Sequence, residues 1–468
     1  AAFAKVEHAR PMLSLGNAFS DGELVEFVGG GGIFPIRAAA AILGTASVWL
    51  LFGLGKDLFD ARTAWIALLL ALAAPANSVL SFFLTIDAPL VFCWSTALWM
   101  LWRIVSGSAG WGTYLLLFLS LAIGHLCKQM MMVFPLLAVL FLASSADTRG
   151  QLRRVPLWAT LLGSYLALLP PLIWNARHGW ITFQHTSHHF ETRSGGGNPI
   201  LERLEDFLSF LGTQFGVLSP GTAFVLFSLV CWGLPRLGSA GRPVRYLLVF
   251  GVLPVGAMLL LALRQEMQPN WPAVYYVSGI LLVAAWYAGH IPARFPPASW
   301  RRLFPVTLAM GFGLCAYFYA APVVFEMMGK AGHNADPNRR MLGYEHLAEQ
   351  FQSIRETIPS YREAEILVVA HRDIASQLAF ALPDQPRVRN FDTKLGIDSQ
   401  YELWNLVQKD QLIGRDMILL YPQTDQLPAQ FAEAFASVEK VADFTVQLQA
   451  RDASFSVFAG RRLQRWFE

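Results

Sequence analysis

The sequence predicts a polytopic α-helical membrane protein that ends in a small α/β domain. Three observations carry that reading. Of 468 residues, 54% are hydrophobic and 15% charged, and the mean hydropathy is +0.41, which is too apolar for a soluble chain of this length. Apolar runs of bilayer-crossing length recur to about residue 321, with short basic clusters between them. From about residue 337 charged residues become frequent, and periodic patterns replace the continuous apolar runs.

Runs long enough to span, ~17 to 25 residues each, fall at 37–55, 63–82, 88–105, 157–174, 244–262, 272–289 and 302–321. Shorter ones at 113–127, 129–145 and 221–235 bring the expected total to about ten helices across 37–321. Basic residues occupy every second connection: Lys56 and Arg62, Arg103, Arg149 with Arg153 and Arg154, Arg236 with Arg242 and Arg245, and Arg294 with Arg301 and Arg302. The excess of lysine and arginine in cytoplasmic loops places these inside. Outside then lie the loop 1–36, the turns at Asp87 and Lys128, the long segment 175–220, the loop 263–271 and everything after about 322. With both ends outside, the pattern expects a further helix upstream of Ala1.

The C-terminal part, 337–468, reads as an outward-facing α/β domain of about 130 residues. EHLAEQFQSIRETI (345–358) has helical spacing, EILVVA (365–370) reads as a buried strand and IASQLAFAL (374–382) as a helix. RDMILLYP (415–422) is a second strand, and FTVQLQ with FSVFAG forms a final alternating pair.

A formal net charge of +3, with the basic residues dispersed in clusters, gives nucleic acid no footprint. The four cysteines, Cys93, Cys127, Cys231 and Cys315, fall in apolar stretches without chelating spacing and read as small buried hydrophobes.

Chemistry concentrates on the outer side. Asp87, in FFLTIDAPLVFCW, is an acid at a helix start two residues before Pro89, suited to cap that helix and to bind a metal or polar substrate at the membrane boundary. Lys128, in GHLCKQMMMVFP, is a cation at the hydrocarbon boundary; it either snorkels to water or receives a lipid phosphate. The segment 174–199 brings Arg177, His178, Trp180, His185, His188, His189 and Arg193 together. His185 with His189 has the i, i+4 spacing that can share a metal, without the glutamate of a full metal motif. After it, LERLEDFLSFLGTQF reads as an amphipathic helix at the interface. In RQEMQPNWPAVYY (264–276), Arg264, Asn270 and Trp271 share one loop, an indole beside amides of the kind that binds saccharide.

Taken together, IRAAAAILG with Arg37, LTIDAPLVF, GHLCKQ, PPLIWNARHGWITF, PNWPAVYY, ASQLAFALPDQPRV and SQYELW resemble the GT-C membrane glycosyltransferases. Within that class the chain is similar to the bacterial branch related to protein O-mannosyltransferases and the lipid A aminoarabinose transferase. The resemblance implies transfer of a sugar from a polyprenyl-phosphate carrier to a lipid, polysaccharide or protein hydroxyl, with inversion, outside the bacterial inner membrane. It implies donor phosphate and lipid binding by Lys128, Arg37, Arg177 and Arg264, and sugar or acceptor contacts from His178, Trp180, His185, Asn270 and Trp271. A divalent metal ion is its one candidate cofactor, with Asp87, His185 and His189 as ligands.

The family carries an Asp-Glu pair at the start of the first outer loop, and here AAFAKVEHARPML begins just after where that pair would stand. Asp21, Glu23 and Glu26 are acids in the same loop, and Asp21 and Glu23 are with Asp87 the candidate catalytic carboxylates. A lipid-linked saccharide transporter, or an inactive member that binds lipid-linked sugar, are the alternative readings.

Overall fold

The computed structural model describes residues 33–180, 182–183, 199–292, 296–359, 361–391 and 399–467. These form two compact units, one built from Ile36–Tyr317 and the other from Phe318–Glu468.

The first unit is helical. Its elements are α1 (Ile33–Leu58), α2 (Ala61–Leu72), α3 (Pro75–Phe82), α4 (Asp87–Val105), α5 (Trp111–Cys127), α6 (Val133–Ala143), α7 (Val155–Arg177), α8 (Pro199–Leu218), α9 (Pro220–Gly233), α10 (Arg242–Ala262), α11 (Tyr275–Ala288) and α12 (Phe304–Met327). Among the described residues five helices are long and apolar enough to cross a membrane, up to seven if two bent pairs each count as one, with α5 and α11 as shorter apolar helices. The protein is a multi-pass membrane protein.

The expected span 63–82 is broken. α2 and α3 meet at a 68° bend, because Pro75 at the start of α3 has no N–H to continue the α2 ladder. Gly311 of α12 sits against the break; a Cβ there would lie 2.3 Å from the Ala73 carbonyl oxygen. The 129–145 run is also not a straight span. It opens with a 3-10 turn, Gln129–Met132, continues as α6 and turns by 118° into Ala146–Arg153. Inside α10, Leu248–Val252 forms a π-helical turn.

An aromatic cluster ties four of these helices together. Trp94 of α4 is fully buried and meets Phe134, Tyr275 and Phe250 edge-on, with ring centroids 5.0, 5.4 and 6.5 Å away. Of the cysteines, Cys93, Cys127 and Cys315 are buried as expected, but Cys231 is exposed; on a membrane helix an apolar residue is stable facing lipid, so apolarity did not imply burial. Folding also makes hydrogen-bonding neighbours of Cys93 and Cys127, which are far apart in sequence.

The second unit holds α13 (Tyr344–Arg355), β1 (Glu365–Val368), α14 (Arg372–Ala381), β2 (Val388–Asn390), α15 (Gln400–Leu412), β3 (Met417–Pro422), α16 (Ala429–Ala432), β4 (Phe435–Leu448) and β5 (Arg451–Leu463). The sheet order is β2-β1-β3-β5-β4, with β2, β1 and β3 parallel and β5 and β4 antiparallel. Ile366, Val368, Ile418 and Leu420 pack one face against Leu347 and Phe351 of α13 and Leu378 of α14. Leu367, Val369, Met417 and Leu419 pack the other against Phe431, Phe435 and Phe467. Burial on both faces explains why β1 and β3 read as continuous apolar runs. The short β2 and the helix α15 were not expected; α15 starts with a Ser399–Glu402 capping box.

Candidate active site

Two side chains from separate turns of the helical unit converge on the carboxylate of a third residue. Asp87 opens α4, Lys128 follows the last residue of α5 and Asn270 lies in the turn before α11. Lys128 Nζ donates to Asp87 Oδ1 at 2.8 Å, and Asn270 Nδ2 donates to Asp87 Oδ2 at 2.7 Å. The side chain of Asp87 is 6% exposed and that of Lys128 17%. A carboxylate in such a place needs charge-assisted partners, and the two donors supply them.

The local sequence builds each arm. Lys128 has extended backbone, φ −160° and ψ 145°, which ends α5 and turns its side chain away from the helix face. Gly124, one turn earlier, lets Met131 pack directly against α5; a Cβ at 124 would lie 2.7 Å from Met131 Cγ. Asn270 is held by a succession of tight turns in which Trp271 N donates to Gln268 O and Ala273 N to Asn270 O. The capping role expected of Asp87 is not formed. No side chain caps the start of α4, since both Asp87 oxygens turn instead to Lys128 and Asn270.

Beside the carboxylate is an apolar pocket of about 70 Å³, lined by Val91 and Ser95 of α4, Ala74, Leu80, Leu218, Ala273, Tyr276 and neighbouring residues of α1 and α11. Val91 is one helical turn below Asp87, and Ala273 is three residues after Asn270, so elements that hold the carboxylate also wall the pocket. Two of its features escaped sequence reasoning. Tyr276 donates to the buried Gln214 Oε1 at 2.6 Å, and the Ser95 hydroxyl is buried with no partner among the described residues. Gln214 left one signal, an amide on the apolar side of LERLEDFLSFLGTQF.

Arg37 of α1 stacks its guanidinium over Phe82 at the end of α3, 4.3 Å from the ring centroid, next to the turn that leads into Asp87. The remaining candidates stand apart from the carboxylate among the described residues. His178 stacks on Trp174 at 4.2 Å and bonds its carbonyl through Nδ1 at 2.8 Å. Buried Asn175 holds the same turn, accepting from Trp180 N and Thr182 N, and Trp180 has φ 60°. Arg177 and Arg264 are exposed. Trp271 packs beside Phe210, Ala262 and Met267. Asp21, Glu23, Glu26, His185, His188 and His189 lie outside the described residues.

Among the described residues no three His, Cys, Asp or Glu side chains group to hold a metal ion. Lys128 and Asn270 each donate to one Asp87 oxygen, and the other two residues of the expected metal set, His185 and His189, lie outside the described residues.

Residues 23–174 match the family described as dolichyl-phosphate-mannose-protein mannosyltransferase, a stretch that includes Asp87 and Lys128. The chain is similar to ArnT from Cupriavidus metallidurans, in a structure bound to undecaprenyl phosphate, with a TM-score of 0.62 at 16% identity over 94% of this chain and 86% of that one. The apo form of ArnT gives a TM-score of 0.58 at the same identity and coverage. The chain has the GT-C fold. The resemblance read from the sequence and the two comparisons agree on that class. A more distant likeness, TM-score 0.46 at 14% identity over 85% of this chain and 60% of the other, is to the archaeal oligosaccharyltransferase AglB from Archaeoglobus fulgidus. None of the curated proteins matches the chain. Within the GT-C fold, Asp87, Lys128 and Asn270 mark where charge meets the apolar interior.

Proposed function

We propose that the protein is an integral membrane glycosyltransferase that takes a sugar from a polyprenyl-phosphate donor and passes it, with inversion, to a lipid, polysaccharide or protein acceptor on the extracytoplasmic side. The observation that carries this reading is the Asp87–Lys128–Asn270 cluster standing beside an apolar pocket. The apolar lining suits part of an isoprenoid chain, and the ammonium beside it suits a phosphate. Lys128 exchanges its Asp87 partner for a phosphate oxygen and stabilises the charge that grows on the departing phosphate. Asp87 is then a positioning residue that holds the ammonium at the boundary when the donor is absent. Asn270 steadies that carboxylate, and Arg37 adds a second cation for the phosphate.

The acceptor hydroxyl also needs a proton acceptor. Once Lys128 has moved to the phosphate, Asp87 is released from the ammonium and is one candidate for this role, beside Asp21 and Glu23 of the first outer loop. The match to ArnT bound to undecaprenyl phosphate supports the donor class and leaves the sugar open. The test uses the full chain in lipid nanodiscs, following release of polyprenyl phosphate from a radiolabelled lipid-linked sugar. Lys128→Gln lowers turnover roughly 10²-fold or more if the ammonium serves the leaving phosphate. Donor binding with no turnover in the unaltered chain would instead favour an inactive binding protein, and movement of intact donor across the bilayer a transporter.

A further inference from the structure

The connection between α6 and α7 carries Arg149, Arg153 and Arg154, the stretch leading into α10 carries Arg236, and Arg242 and Arg245 at the start of α10 join the two through one acid. Arg242 Nε donates to Asp147 Oδ2 at 2.7 Å, and Arg245 Nη2 donates to Asp147 Oδ1 at 2.9 Å. Asp147 thus clasps the two connections together. Arg245 is buried and also lies over Phe141, 5.7 Å from the ring centroid. Arg149, Arg153, Arg154 and Arg236 are exposed, and among the described residues none of them forms an ion pair with a carboxylate.

Two of these four are held in place without a counter-charge. Arg149 donates to Ala143 O at 3.1 Å. Arg236 donates to Trp232 O at 2.7 Å and stacks 5.2 Å from the Trp232 ring. Fixing guanidinium planes this way leaves their remaining N–H groups preorganised for an anion. Neither 144–156 nor 234–246 contains a lysine. A rule that merely wanted positive charge in a loop would be met by either residue, whereas planar, bidentate contact with phosphate favours arginine. Beside the arginines, Val155 is 76% exposed and Leu234 38%, so apolar surface borders the cationic rim as acyl chains would require.

We propose that this rim is a binding site for the phosphodiester headgroup of an anionic phospholipid. The clasp through Asp147 sets the spacing of the two connections, and the exposed arginines take the phosphate. The site is separate from the Asp87 cluster and does not depend on the donor reading.

The test compares the full chain in nanodiscs of phosphatidylcholine with discs containing phosphatidylglycerol, reading unfolding temperature and lipid retained in native mass spectrometry. The expected result is a rise of about 2–4 °C with phosphatidylglycerol and retention of that lipid after mild delipidation. R149Q/R153Q/R236Q leaves the Asp147 clasp intact and should abolish both. Where that variant fails to insert, R149K/R153K/R236K keeps the charge, and less than half of the shift should survive. An undiminished shift in either variant overturns the proposal, as does no shift in the unaltered chain. The same rise produced by millimolar inorganic phosphate in phosphatidylcholine discs would overturn the lipid assignment in favour of a soluble phosphate.

Discussion

Asp87 and Asp147 are built alike and used differently. Asp87 accepts from Lys128 and Asn270, which lie in separate parts of the helical unit, and Asp147 accepts from Arg242 and Arg245, both of α10. The Asp87 carboxylate is 6% exposed, beside one ammonium and one amide; Asp147 is 37% exposed, between two guanidiniums. Burial rather than the number of partners separates them. The Asp147–Arg242 pair is partly exposed on both sides and screened by water, while the Asp147–Arg245 pair has one buried partner. A buried pair contributes little net stability, but removing one partner strands the other charge, which makes the Asp87 cluster intolerant of change.

That contrast is open to attack at three points, of decreasing size. Asp87→Ala leaves the Lys128 ammonium without its counter-charge and should cost about 3–5 kcal/mol, read as thermal unfolding in detergent; a loss below 1 kcal/mol would mean that Lys128 reaches water freely. Asn270→Ala deprives Asp87 Oδ2 of its donor and should cost about 1–3 kcal/mol, with Asn270→Gln recovering part of it. Asp147→Asn, by the same assay, should cost less than Asp87→Ala, because asparagine keeps an acceptor oxygen for the buried Arg245 and the site is partly open to water. A cost matching that of Asp87→Ala would end the distinction between the two acids.

The smallest effect belongs to the α/β unit. Asp384 accepts from Arg355 Nη1 at 3.0 Å, and that guanidinium is the main cause holding its carboxyl below the usual range. A depressed carboxylate stabilises the fold above its unfolded pKa, ~3.9, and loses that contribution as pH falls through the folded value. Because Asp384 is 44% exposed the effect is small. Hydrogen exchange of β1 and β3 in the full chain should accelerate as pH is lowered below about 4, beyond its intrinsic pH dependence. Asp384→Asn should flatten that excess, and an unchanged profile would remove the linkage.

The sequence was most legible where one-dimensional chemistry suffices. Apolar runs located the helices, because a backbone in lipid must satisfy its own hydrogen bonds within the segment. Period and both-sided burial located β1, α14, β3 and the β4–β5 pair. It was less legible at Pro75, where a break hid inside an unbroken apolar run, and at β2, whose three residues are too few to show a period. Asp87 was legible as an oddity and its cap role was misread, because capping is local and its actual partners are 41 and 183 residues away.

By itself, then, the sequence determined which residues are expensive to place in a bilayer and on which side of the helix pattern they recur: Asp87, Lys128, Asn270, and the arginines of the opposite connections. Only the tertiary structure decided that Lys128 and Asn270 meet on the Asp87 carboxylate beside an apolar pocket, and that Asp147 gathers two of the arginines. The physical reason is range. Hydropathy and helix periodicity act over a few residues, whereas the pairing of buried charges depends on which helix ends the packing of Trp94 and its aromatic neighbours brings together.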